Sequence, residues 1–347
     1  MDREAPTRTP DSLDDRKAKI LRAIVEEYVT TAQPVASKTV VARQGLNVSA
    51  ATVRNDMGLL ERDGYIAQPH TSAGRVPTDR GYRYFVDHAV PPSSLPDPQR
   101  REVAEFFGST SRVIDDLLHE TSHLLARLTR HAAVVVGPQH EIVRVRAVHL
   151  VVLEPRVVLA IAVLGNGAVE KETLRFEHDV DAADVEAASR RLSEHCEGHE
   201  FAAIEAPERG AAPSGADAIF DAACAALVER GLSTPEPIFV GGASRLAAEG
   251  EAFSSPAAVS RVLELLEQQT VVVALMRELL GPGLTISIGS ENPSPDLQDC
   301  SLVLAPYLVE GTQAGTIGVL GPTRMDYRQA QAAVATISAQ LSRELSR

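Results

Sequence analysis

The 347-residue chain contains no tryptophan, and phenylalanine and tyrosine together make up only 4% of it. Its interior must therefore be filled by aliphatic side chains and alanine, a composition compatible with modest packing. Cysteine is scarce. Cys196, Cys224 and Cys300 are odd in number, far apart and form no C-x-x-C pair, which excludes a disulfide scaffold and a cysteine zinc finger and makes a reducing cytoplasm the default. No apolar run reaches the ~18 to 20 residues that a membrane span needs. The opening MDREAPTRTPDSLDDRK is polar and offers no apolar segment for a secretory signal. A cytoplasmic protein without a membrane partner is expected.

What is present is ordinary globular balance, 44% apolar and 23% charged, over a length that suggests two or three domains of ~150 residues or less. The net charge of −13 argues superficially against a polyanionic partner, but it is unevenly spread. From Arg16 to Arg83 there are 11 Lys and Arg against 6 Asp and Glu; from Pro91 onward there are 21 against 35. One basic module followed by a long acidic remainder suits a chain that meets nucleic acid with its first part only.

Residues 1–12 read as a disordered tail. Asp14 or Asp15 opens a helix whose stripe is Ile20, Leu21, Ile24, Val25, Tyr28 and Val29, and Pro34 stops it. Ser37 caps a short helix over 38–43, Gly45 turns the chain, and Ser49 caps a third helix that ends at Gly64. A strand at 65–68, a loop, and a return at Arg75-Val76 precede a helix capped by Thr78. Three helices, a hairpin and a helix make a winged helix-turn-helix. Four prolines within 91–98 read as a stiff linker. A single helix is expected over about 99–130, then an antiparallel meander at 143–153, 156–164 and 168–176. Alanine-rich helices at 182–195 and 216–230 follow, then a strand at 237–240 and a helix near 256–280. Strands at 284–288, 301–307 and 316–320 and a terminal helix close an α+β domain.

On a wheel of 100° per residue, Val53, Met57 and Leu60 of the third helix face the core, while Ala51, Arg54, Asn55, Gly58 and Arg62 face away. Small side chains beside arginine and asparagine let a helix approach base edges, where arginine pairs with guanine and asparagine with adenine. Ser49 and the first-turn amides suit a phosphate. In the hairpin, His70, Thr71, Ser72 and Arg75 surround an Ala-Gly turn and suit phosphate or minor-groove contacts.

The run Ser49-x-x-Thr52-Val53-Arg54-Asn55-Asp56, followed by Pro69-His70-Thr71-Ser72-Ala73-Gly74-Arg75-Val76-Pro77-Thr78, closely resembles the HrcA family of bacterial heat-inducible transcription repressors. Weaker similarity continues through Phe239-Val240-Gly241-Gly242 and 314–322, so the resemblance spans nearly the whole chain. It implies a winged helix at 14–90, the linker 91–98, a GAF-like domain at 99–177 and 250–347, and an inserted dimerisation domain at 178–249. It further implies a non-enzymatic homodimer without cofactor that represses chaperone genes from an inverted-repeat operator at normal temperature, with feedback from the GroEL chaperonin. The expected DNA-contacting set is Lys38, Ser49, Thr52, Arg54, Asn55, Arg62, His70, Thr71, Ser72 and Arg75. A repressor gated by a small molecule in the GAF-like domain is the alternative.

His119-Glu120-Thr121-Ser122-His123 matches the H-E-x-x-H of zinc hydrolases. Ile114, Leu117, Leu118, Leu124, Leu125 and Leu128 define the buried stripe of that helix, however, and place both histidines on the opposite, solvent side. No third ligand or cleft is apparent, so no metal site is expected. His195 and His199 read as solvated groups at a helix end rather than metal ligands beside Cys196, and the three cysteines as small buried hydrophobes.

Overall fold

The computed structural model describes residues 13–346 except 45–47, 72, 90–93, 110–113, 139–143, 166–168, 205–214, 234–235, 249–252, 254 and 310. The expected N-terminal tail therefore lies outside the described residues, as do residues 91–93 of the expected linker, whose last two residues, Asp97 and Pro98, open a helix instead.

Helix α1 (Asp15–Thr31) starts where the Asp14 carboxylate accepts the Lys17 N–H at 2.9 Å. It ends at Ala32, whose φ of 56° returns its N–H to the Tyr28 carbonyl. Helix α2 (Ser37–Gln44) and α3 (Ala50–Arg62) follow, then β1 (Ile66–Ala67), β2 (Val76–Pro77) and α4 (Asp79–Ala89). Strands β1 and β2 pair antiparallel. The order of elements is the one expected, with the cap of α3 at Ser49 accepting the Thr52 N–H at 3.1 Å.

The chain continues through α5 (Asp97–Ser109), α6 (Ile114–Thr129), β3 (Ala132–Val136), β4 (Val145–Glu154), β5 (Val157–Leu164), β6 (Val169–Arg175), α7 (Ala182–Cys196) and α8 (Ala216–Ser233). It ends with β7 (Ile238–Gly241), α9 (Ala243–Ala248), α10 (Pro256–Glu267), α11 (Gln269–Leu279), β8 (Thr285–Ile288), β9 (Cys300–Val309), β10 (Thr312–Pro322) and α12 (Tyr327–Leu345). Strands β7, β3, β10, β9 and β8 form one antiparallel sheet in that order. One face, with Ala133, Val135, Val303, Ala305, Tyr307 and Ile317, packs on α6 and α12. The other, with Val134, Val136, Leu302 and Leu304, packs on α10 and α11. Both faces are covered, so β3 is a continuous apolar run without alternation.

Four readings of the chain need correction. The helix expected over 99–130 is described as α5 and α6, and the one near 256–280 is α10 and α11, separated at Gln268. Strand β3 was not foreseen. The meander does not join the terminal strands: among the described residues, β4, β5 and β6 form a sheet separate from the five-stranded one. The even-numbered face of β5, Val158, Ala160, Ala162 and Leu164, buries against Val185, Leu192, Phe220 and Leu227 of α7 and α8 in a core of its own. Period-2 patterning revealed these strands but could not say which helices would cover them.

The N-terminal helices share a continuous core with α6 and α12. Polar contacts reinforce this. The Asp79 carboxylate accepts the Ser290 N–H at 2.9 Å, Arg83 forms an ion pair with Glu291 and donates to the Ile286 carbonyl at 2.7 Å, and Arg328 donates to Glu26 at 2.8 Å.

Candidate nucleic-acid interface

Helix α3 presents two chemically different faces. Val53, Met57 and Leu60 are buried, whereas Ala51, Arg54, Asn55, Gly58 and Arg62 are exposed, with Ser49 exposed at its N-terminus and Thr52 half-buried. Nothing stands within 4 Å of a Cβ built on Gly58, so the outward face is low and open along its middle. Lys38 of α2 is exposed as well. The Ser49 and Thr52 hydroxyls lie 3.0 Å apart.

Asp56 interrupts the buried side of α3. Its carboxylate is almost fully enclosed and accepts from Arg16 Nε at 2.7 Å and Nη2 at 3.0 Å. This bidentate pair fixes α1 against α3, and it holds the Arg16 guanidinium above its ordinary range through the hydrogen bond to Asp56. Forty residues separate the partners, so no local pattern reports it; the wheel alone left Asp56 without a role.

The hairpin is built by the motif that carries the resemblance. A Cβ on Gly74 would lie 2.5 Å from the Val35 carbonyl carbon and oxygen, and this close approach lets Arg75 and Val35 exchange backbone hydrogen bonds of 2.8 and 2.9 Å. Gln68 Nε2 donates to the Thr71 and Ala73 carbonyls and shapes the loop. Thr78 Oγ1 donates to the Gly64 carbonyl at 2.6 Å, tying the far end of the hairpin to the end of α3. His70 and Thr71 are exposed at the tip; Ser72 lies outside the described residues.

Arg75 sits differently from the other predicted contacts. Its guanidinium turns back onto Glu61 of α3, with Nε at 3.0 Å and Nη2 at 2.8 Å, and its side chain is 20% exposed. Its charge is opposed at short range, and its geometry ties the hairpin to α3. Arg62 is open, 73% exposed, with Asp63 3.5 Å away.

The other motifs fall elsewhere. His119 and His123 are exposed on α6, their Nε2 atoms 3.2 Å apart. Among the described residues no group of three or more His, Cys, Asp or Glu is placed to hold a metal ion. The three cysteines are buried, and burial pushes the Cys196 and Cys300 thiols up to about 12; neither forms a thiolate at neutral pH. Among the described residues no helix is long and apolar enough to cross a membrane.

A family model described as HrcA protein C terminal domain matches residues 115–330. Two curated proteins, both named heat-inducible transcription repressor HrcA, align over nearly the full length. One from Nocardia farcinica is 40% identical, covering 94% of this chain and 95% of its own. One from Rhodococcus jostii is 38% identical, covering 96% and 99%. The chain belongs to the HrcA family. Members of the family are transcription repressors and not enzymes. A solved structure described as "Crystal structure of a hypothetical protein at 2.2 A resolution" shares the HrcA chain's fold with a TM-score of 0.63 at 23% identity, covering 96% of this chain and 98% of that one.

Proposed function

We propose that this HrcA-family protein is a cytoplasmic repressor of heat-shock chaperone genes that binds an inverted-repeat operator as a homodimer. The observation that carries the reading is the low, exposed face of α3, where Arg54 and Asn55 flank small residues above a buried Val53-Met57-Leu60 stripe. Helices α2 and α3 with the β1–β2 hairpin act as a winged helix-turn-helix, α3 entering the major groove and His70 and Thr71 reaching the flanking backbone. Lys38, Ser49, Thr52 and Arg62 serve as positioning contacts. The five-stranded sheet and its helical layers form the GAF-like domain, and residues 144–233, rather than 178–249, form the inserted domain, since β4–β6 bury against α7 and α8.

Dimerisation is assigned to the inserted domain's free sheet face. Its other face is covered by helices, while Val151 and Val169 are 42% and 45% exposed on either side of half-buried Leu159, Ile161 and Val163. Apolar surface of this kind marks an interface, and a twofold pair matches an inverted repeat read one helical turn apart, ~34 Å, or a multiple of it. Feedback from GroEL completes the proposal, unfolded clients drawing the chaperonin away from the repressor. Footprinting on the promoters of the source organism's chaperone genes tests it: a protected inverted repeat is expected, and absence of protection at every such promoter refutes the reading.

A further inference from the structure

At the end of the central sheet where β3 stops and β10 begins, α11 stands off the strands and leaves a cavity of about 210 Å3. One water needs ~10 to 15 Å3 of such space, and drug-sized pockets begin near ~300 Å3, so the void suits a single small metabolite. Its wall divides by chemistry. Val136, Val273 and Met276 supply an apolar side, and Glu236, Arg277 and Gln313 supply a polar one.

The polar side is charged in both senses. The Glu236 side chain is only 9% exposed, and its carboxylate is met by the guanidinium of Arg277. Arg277 is 54% exposed and sits at the mouth, where a long side chain can swing outward. A buried carboxylate is stabilised by a cation against it, and the exposed arginine is the group that a ligand's own cation can replace. The displaced guanidinium is then available to a ligand carboxylate. Met276 also lines a separate space of about 20 Å3 among leucines and valines, and the apolar wall of the larger cavity, Val136, Val273 and Met276, suits an aliphatic group.

We propose that this cavity binds a free α-amino acid with a short aliphatic side chain. Its ammonium sits on Glu236, its carboxylate on Arg277 with Gln313 at the rim, and its side chain against Val136, Val273 and Met276. Neither charge alone accounts for the site: an amine leaves Arg277 without its carboxylate, and an acid leaves Glu236 opposed by nothing once Arg277 turns to the ligand. Ligand recognition here involves no residue of the α3 face, so the site stands or falls independently of the DNA reading.

Isothermal titration calorimetry on the purified full-length protein tests it with leucine, valine, 3-methylbutylamine and 4-methylpentanoate. Leucine or valine is expected to bind, and to bind at least about tenfold more tightly than the amine or the acid, since each lacks one charge-assisted contact. Glu236→Gln and Arg277→Met are each expected to weaken binding about tenfold or more. Arg277, being largely exposed, can be replaced without loss of the fold, which circular dichroism checks for both variants. The proposal is overturned if neither amino acid binds the folded protein, if the acid or the amine binds as tightly as leucine, or if leucine binding is unchanged in folded Arg277→Met.

Discussion

At the level of single residues, the two classes of arginine in the N-terminal module make opposite predictions. Arg54 is exposed on α3 with Asn55 beside it, and both side chains are of the type that reads base edges. Arg54→Ala and Asn55→Ala are each expected to cost ~1 to 3 kcal/mol on the specific operator while leaving non-specific binding nearly unchanged. Competition binding against random duplex measures the difference; equal losses on both DNAs would remove α3 from base readout. Arg75 is held by Glu61 at 2.8 Å, and a neutralised, tethered guanidinium releases few counterions. Arg75→Ala is therefore expected to weaken operator binding without flattening its dependence on salt. A slope reduced by about one would instead make Arg75 a phosphate contact. The outward placement of Arg54 and Asn55 was legible because a wheel needs only local spacing. The Glu61 and Asp56 partnerships were not, because they join residues 14 and 40 positions apart and depend on how helices pack.

At the level of elements, the caps were the most legible feature: Asp14, Ser49 and the glycine after α3 mark boundaries through chemistry that is local by nature. Strand β3 escaped because a strand covered on both faces loses its alternation and merges with the helix before it. The meander was seen as three strands but given the wrong neighbours, since period 2 fixes which residues share a face and leaves open what covers that face. Its uncovered face supports a prediction at this scale. Ile161 lies at the centre of the middle strand, paired with His149 on one side and Lys171 on the other. Ile161→Lys places a charge where apolar surface is assigned to a twofold contact, and sedimentation is expected to show dissociation to monomers with the circular dichroism spectrum retained. A variant that remains dimeric would move the interface elsewhere on the chain.

Across the whole molecule, the N-terminal module proposed as a DNA-reading head is not a separate bead on a linker. Helices α1, α3 and α4 share one buried core with α6, α12 and the central sheet, and Arg83–Glu291 and Arg328–Glu26 pin the same junction. Loosening of the sheet must then loosen the head. Domain stabilities of ~5 to 15 kcal/mol are small differences between large terms, so a loss of a few kcal/mol on warming raises the inactive population many-fold. Inactivation needs no effector in this scheme; warming by itself raises the population of unfolded, non-binding chains. Operator affinity and circular dichroism are therefore expected to fall in one coincident transition as the protein is heated, with the operator complex melting higher by mass action. GroEL is expected to restore binding after heating, and an excess of unfolded client to abolish that rescue. Loss of operator binding well below the structural transition would show that the head releases DNA by a local change. Recovery indifferent to both GroEL and client would separate the repressor from the chaperonin.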